Sequence, residues 1–164
     1  MKPTPSREKP KRSPESRLRL FYERFGPKHR KLIRAVRAAV RRRFPSANEL
    51  AYDYSSFILL AYSPTERGID AFVSIAARAN RVDLYFNNGP KLPDPKELLR
   101  GSGRQTRYIR LEKAAQLLHP DVKALIAAAK DLARTPLAPK GKGTLIIKTD
   151  KSGAKPKPRK KVKK

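Results

Sequence analysis

The stretch that decides the fold is Arg81–Leu111, RVDLYFNNGPKLPDPKELLRGSGRQTRYIRL. It opens on a two-residue period, with Val82, Leu84 and Phe86 on one side and Arg81, Asp83 and Tyr85 on the other, the pattern of a half-buried strand. Asn87-Asn88-Gly89-Pro90 ends that strand, because Asn and Gly tolerate positive φ and Pro90 has no N–H for a ladder. Asp94 offers a cap to a short helix over 94–100, with Pro95 at its first position and Glu97 three residues after the cap. Gly101-Ser102-Gly103 closes the turn. A second alternation follows, Ile109 and Leu111 opposite Tyr108 and Arg110. The stretch therefore reads strand, turn, short helix, glycine loop, strand.

Upstream, the period is helical at first. A helix starting near Ser16 carries an apolar stripe of Leu18, Phe21 and Phe25, and Gly26-Pro27 stops it. A second helix spans about 28–43, with Leu32, Ile33, Val36, Ala39 and Val40 on one face. Arg30, Arg34, Arg37 and Arg41 form a ridge on another face, with no acidic residue of that helix among them. Like charges at i,i+4 repel, so such a ridge calls for an anion, although charge runs are usually just solvated faces. At Pro45-Ser46 the period changes. Residues 50–54 and the apolar run 57–62 read as strands, and 69–77 as a third, with Ile69, Ala71, Val73 and Ile75 facing inward. With 81–86 these close neighbours make an antiparallel meander.

Downstream of Leu111, residues 113–118 form one or two helical turns. A helix near 120–133 then places Val122, Leu125, Ile126, Ala129 and Leu132 inward. Residues 144–148 offer an edge strand. The fold class is α+β: an antiparallel sheet of about five strands packed against N- and C-terminal helices, with disordered basic ends. The predicted core holds Val36, Val40, Phe57, Leu59, Val73, Val82, Leu84, Ile109 and Leu125. By domain, 1–16 is a basic arm, 17–135 the α+β domain, and 136–164 a Pro/Lys-rich tail.

Net charge is +26 over 164 residues, and both the ends and the centre contribute. Residues 1–17 hold six Lys/Arg against two Glu, 138–164 eleven against Asp150, and the centre 23 against 11. Such an excess attracts polyanions. The run KPKPRKKVKK supplies Lys155, Lys157, Arg159, Lys160, Lys161, Lys163 and Lys164 on an extended, polyproline-like segment. The absence of cysteine excludes disulfides and thiolate metal sites and suits a reducing compartment. No apolar run approaches the roughly 20 residues that cross a bilayer, and the N-terminus lacks a secretory apolar segment. The expectation is a cytoplasmic protein without membrane contact.

The order LYF, NNGP, DPKELLRGSGRQTRYIRL and then HPDVKALIAAA resembles the YdhG-like domain-of-unknown-function family, over about residues 17–135. The resemblance implies a compact α+β domain similar in outline to frataxin. It also implies, for some members, a link to iron delivery, which in frataxin-like proteins leans on an acidic helix and edge strand. This chain departs there, since the matching helix carries Arg30, Arg34, Arg37, Arg41, Arg42 and Arg43. No iron-binding residue carries over.

Catalytic signatures are missing. His29 and His119 stand ninety positions apart and read as surface or capping residues, and the carboxylates are scattered. Neither histidine accompanies a nucleophile elbow. Gly101-Ser102-Gly103-Arg104, with Arg107, offers N–H groups to a phosphate but leads into a strand rather than a helix. The expectation is no enzyme, no metal and no cofactor. The leading function is a binding module for nucleic acid, non-specific and electrostatic, acting through the tail and the arginine helix. Tyr85 and Tyr108 add stacking surfaces on the outward side of two strands. The alternative is an iron- or small-molecule-binding, metallochaperone-like protein, with a candidate pocket of Tyr52, Tyr54, Tyr85, Arg104, Arg107 and Tyr108.

Overall fold

Ser13 opens the first helix: its hydroxyl accepts from the Ser16 N–H at 3.2 Å, and Pro14, which has no N–H to satisfy, takes the first helical position. The computed structural model describes residues 12–148, and in it this helix, α1, is Pro14–Tyr22. Lys155, Lys157, Arg159, Lys160, Lys161, Lys163 and Lys164, with the expected disorder of the chain ends, lie outside the described residues. After extended Gly26, Pro27 starts α2, Pro27–Arg43, which ends with three arginines against its carbonyl-rich terminus. Phe44 follows and meets Phe72 edge-to-face at 4.9 Å, fastening the helix end to the sheet.

The sheet has six strands: β1 Asn48–Asp53, β2 Phe57–Ser63, β3 Val73–Arg78, β4 Val82–Asn87, β5 Thr106–Leu111 and β6 Leu145–Ile147. Their order is β5-β4-β3-β2-β1-β6, an antiparallel meander to which β6 adds in parallel beside β1. Between β5 and β6 lie a 3-10 turn, Ala114–Leu118, and α3, Pro120–Asp131. The edge strand expected over 144–148 thus belongs to the sheet, as β6. Gly143 lets it close: its N–H donates to Pro45 O at 2.8 Å, and a Cβ there would collide with the Ala47 carbonyl.

One sheet face carries the helices. Ile58, Leu60, Ile75, Leu84 and Phe86 are buried beneath α2 and α3, with Ile33, Val36 and Val40 of α2 and Leu125 and Ile126 of α3 above them. Of the predicted core, Val36, Val40, Val73, Val82, Leu84, Ile109 and Leu125 are buried. Phe57 and Leu59 are not; both are half-buried on the opposite face. A continuous apolar run does not fix its own phase, and the partners decide: Leu60 pairs with Ile75 and Tyr62 with Val73, which turns 57 and 59 away.

Three further expectations change. Ile69 is 65% exposed, because Ser63, Thr65 and Asp70 close a loop through their side chains and β3 begins only at Val73. Ala71 is buried, but against Leu50 and Ala61 on the face away from the helices. No helix forms over 94–100: Asp94 accepts from the Leu98 and Leu99 N–H groups, both at 2.9 Å, and Glu97 then takes φ +54°. A helix cannot propagate through that left-handed residue, and Arg100 instead exchanges two backbone hydrogen bonds with Tyr108. Leu132 caps α3 and is 41% exposed rather than inward.

Candidate nucleic-acid interface

The arginine ridge of α2 splits by its surroundings. Arg37 lies above β1, where Glu49 is only 2% exposed, and its Nε and Nη2 donate to the Glu49 carboxylate at 2.7–3.0 Å. The same guanidinium donates to Glu15 of α1 at 2.7 and 3.1 Å, and Tyr62 Oη donates to Glu49 at 2.6 Å. Arg41 completes the cluster, 3.0 Å from Glu15 and 3.6 Å from Glu49. Hydrogen bonding from Arg37 holds the Glu15 carboxyl below its usual range. Burial opposes the charge on Arg37, but hydrogen bonds to Glu49 and Glu15 more than offset it and raise its pKa. Burial, reinforced by Glu49, pushes the Tyr62 phenol well above its ordinary value. Half of the ridge is therefore an internal brace between α1, α2 and β1.

The other half faces outward. Arg30 and Arg34 have no carboxylate partner among the described residues; Arg34 lies 5.7 Å over the ring of buried Tyr22. Arg42 and Arg43 are exposed at the end of α2, and Arg43 donates to Lys123 O at 3.0 Å. The acidic partners of Arg37 and Arg41 were not visible on α2 because they arrive from α1 and β1. The faint signal for Glu49 was its place in a strand whose neighbours, Leu50 and Ala51, are apolar.

The sheet face away from the helices bears the aromatics. Tyr85 and Tyr108 are cross-strand partners, stacked with centroids 5.1 Å apart. Three strands away, Tyr52, Tyr54 and Phe57 stack in turn at 6.0 and 4.8 Å, and the Arg78 guanidinium caps Phe57 at 4.5 Å. Burial, with the neighbouring Tyr54 second, raises the Tyr52 phenol. Asp83 is fully buried on this face between Arg110 Nε at 3.4 Å and Arg81 Nε at 3.3 Å. The alternation Arg81, Asp83, Tyr85 marked that side without showing that Asp83 pairs there.

The six residues of the candidate pocket do not converge. Tyr52 and Tyr54 sit at one side of the sheet, Tyr85 and Tyr108 at the other, with β2 and β3 between them. Arg107 is engaged by the carbonyls of Gly103 and Thr106. Arg104 lines a separate polar cavity of about 510 Å³ at the sheet end, together with Lys91, Gln105, Asp70 and Arg134. Both histidines serve the fold: His29 Nε2 lies 2.7 Å from Arg78 O, and His119 Nδ1 accepts from the Asp121 N–H to cap α3. Among the described residues no group of three His, Asp or Glu side chains gathers as a metal site, and no helix is long and apolar enough to cross a membrane.

In chemical terms the arrangement offers point charges and aromatic faces. No family model matches the chain, and neither a characterised protein nor a solved structure shows significant similarity to it.

Proposed function

We propose that this chain is a non-enzymatic, cytoplasmic module of the YdhG-like kind that binds nucleic acid through phosphate contacts, without reading sequence. The observation that carries the reading is the pairing of charge: buried carboxylates engage Arg24, Arg37, Arg81 and Arg110, while Arg30, Arg34 and Arg42 of α2 have no carboxylate partner among the described residues. An anion is what the outward set lacks. The seven basic residues over 155–164 add a second, sequence-encoded contact. Phosphate contacts position a protein without base preference, so no preferred sequence is expected.

The test is binding to duplex and to single strands across a salt series. If all seven cations of 155–164 engage duplex DNA, log K falls against log[salt] with a slope of about −6, from roughly −0.9 per phosphate. Deleting 150–164 flattens that slope and leaves the unfolding midpoint unchanged. Arg30→Gln with Arg34→Gln weakens binding further, again without loss of folding. Affinity no better than the millimolar range at about 150 mM salt, weaker than ordinary non-specific binding, overturns the reading.

A further inference from the structure

Independently of nucleic acid, we propose that the cavity between α2, α3 and the sheet is a binding site for a single-chain carboxylate of about ten carbons, a medium-chain fatty acid. The cavity measures about 260 Å³. Its floor is Val73 and Leu84, both fully buried, and its walls are Val40, Phe44, Leu117 and Ile126. None of these six side chains carries a polar atom, so a base, a sugar or a peptide backbone entering there leaves its own polar groups unpaired. A hydrocarbon chain does not. A cavity of ~150 Å³ lined by aliphatic and aromatic side chains admits the six carbons of benzene, which scales to about ten carbons here.

The mouth has the opposite character. Arg42, Arg43 and Lys123 line it and are exposed, and no carboxylate lines the cavity. Arg43 is fixed there by its hydrogen bond to Lys123 O and by its approach to the Phe44 ring at 5.5 Å. Leu118, 66% exposed at the same opening, extends the apolar path to the surface. Apolar depth under a cationic rim is complementary to an anionic head on an alkyl tail. The chain's own ends do not match: 1–11 and 149–164 are rich in lysine and arginine, which the rim repels, and neither contains an apolar run.

The experiment is calorimetric titration of the full chain, below micelle concentrations, with octanoate, decanoate, dodecanoate, decanol and decyltrimethylammonium. The dissociation constant should fall about fourfold per added methylene, from ~0.8 kcal/mol per buried CH₂, and level off near ten carbons. Decanol should bind at least tenfold more weakly than decanoate, and the ammonium more weakly still. Ala39→Phe, which fills the cavity from α2, should abolish binding with the far-UV spectrum unchanged. Arg42→Gln with Lys123→Gln, both exposed and harmless to folding, should bring decanoate down towards decanol. The proposal fails if decanoate does not bind, if the ammonium binds as well, or if the rim substitutions leave the selectivity intact. An acidic amphipathic peptide that binds where decanoate does not would equally overturn it.

Discussion

Removing Arg37 separates a structural arginine from a ligand-binding one. Its side chain is 13% exposed and its guanidinium makes three hydrogen bonds to Glu49, whose side chain is 2% exposed. Arg37→Met keeps the aliphatic stem and removes the charge, leaving a buried carboxylate with the Tyr62 hydroxyl as donor and Arg41, 3.6 Å away, as its remaining cation. Breaking a buried pair from one side costs about 3–5 kcal/mol, because the remaining charge keeps its desolvation penalty without its partner. Against a total stability of ~5–15 kcal/mol, that is a large share of the fold. At roughly 3–5 °C per kcal/mol for a domain of this size, the thermal midpoint should drop by about 10–20 °C. Urea unfolding followed by circular dichroism measures the free-energy loss, and a thermal melt measures the midpoint. The double variant Arg37→Met with Glu49→Leu should regain most of the loss, since a well-packed apolar pair is often as stable as the ion pair it replaces. A loss below ~1 kcal/mol in Arg37→Met would refute the brace and return Arg37 to the surface ridge.

Packing, burial and ion pairing set three further outcomes. Leu60→Ala should cost about 2–5 kcal/mol and Leu59→Ala less than half of that, since only Leu60 faces the helices; equal costs in urea titrations would place the phase of β2 wrongly. Burial raises the Tyr22 phenol to about 12, so the stability it contributes is whole below about pH 10, where the unfolded phenol ionises, and is lost as pH rises through 12. Its hydroxyl has no hydrogen-bond partner among the described residues, so Tyr22→Phe should leave neutral-pH stability unchanged or higher and should flatten the alkaline decline. The Glu15 carboxyl is shifted the other way, and its contribution, present above its ordinary range, should fade only as pH drops through the depressed value; Glu15→Gln removes that acid limb of the urea midpoint curve.

What was legible from residues alone was whatever a period encodes. The 3.6 period gave α2 within a residue, and the alternation of 81–86 and of 108–111 gave β4 and the second half of β5 on their correct faces. Where the pattern was degenerate, tertiary partners decided. The run FILLAY is apolar on both faces, so its phase came from Val73 and Ile75 across the ladder. The segment at 94–100 carried a valid cap and a valid first turn, yet Asp94 accepted both N–H groups at once and Glu97 turned left-handed, an outcome that propensity does not encode. The site was less legible still. The residues of α2 show which arginines share a face, but Glu15 and Glu49 are 22 and 12 positions from Arg37, and only the packing of α1 and β1 brings them together.

That packing changes what the net charge means. A carboxylate cancels the arginine it is paired with for any distant ligand, wherever the pair sits. Glu49, Asp53 and Asp83 are each under 9% exposed, and each is paired with an arginine from another element. Asp94 is turned onto backbone N–H groups and Asp70 onto Thr65. Each of the three buried carboxylates is offset by the arginine beside it, so the pair carries little net charge at a distance, whereas Asp94 and Asp70 are held by neutral donors and keep theirs. Among the described residues Arg30, Arg34 and Arg42 of α2 have no carboxylate partner, so their charge is not offset locally. The proposed binding of polyanions draws on these arginines and not on Arg37, whose side chain is 13% exposed. Salt should therefore weaken binding steeply while leaving the unfolding midpoint almost unmoved, because Debye screening of about 10 Å at 0.1 M acts on exposed charges and much less on buried pairs.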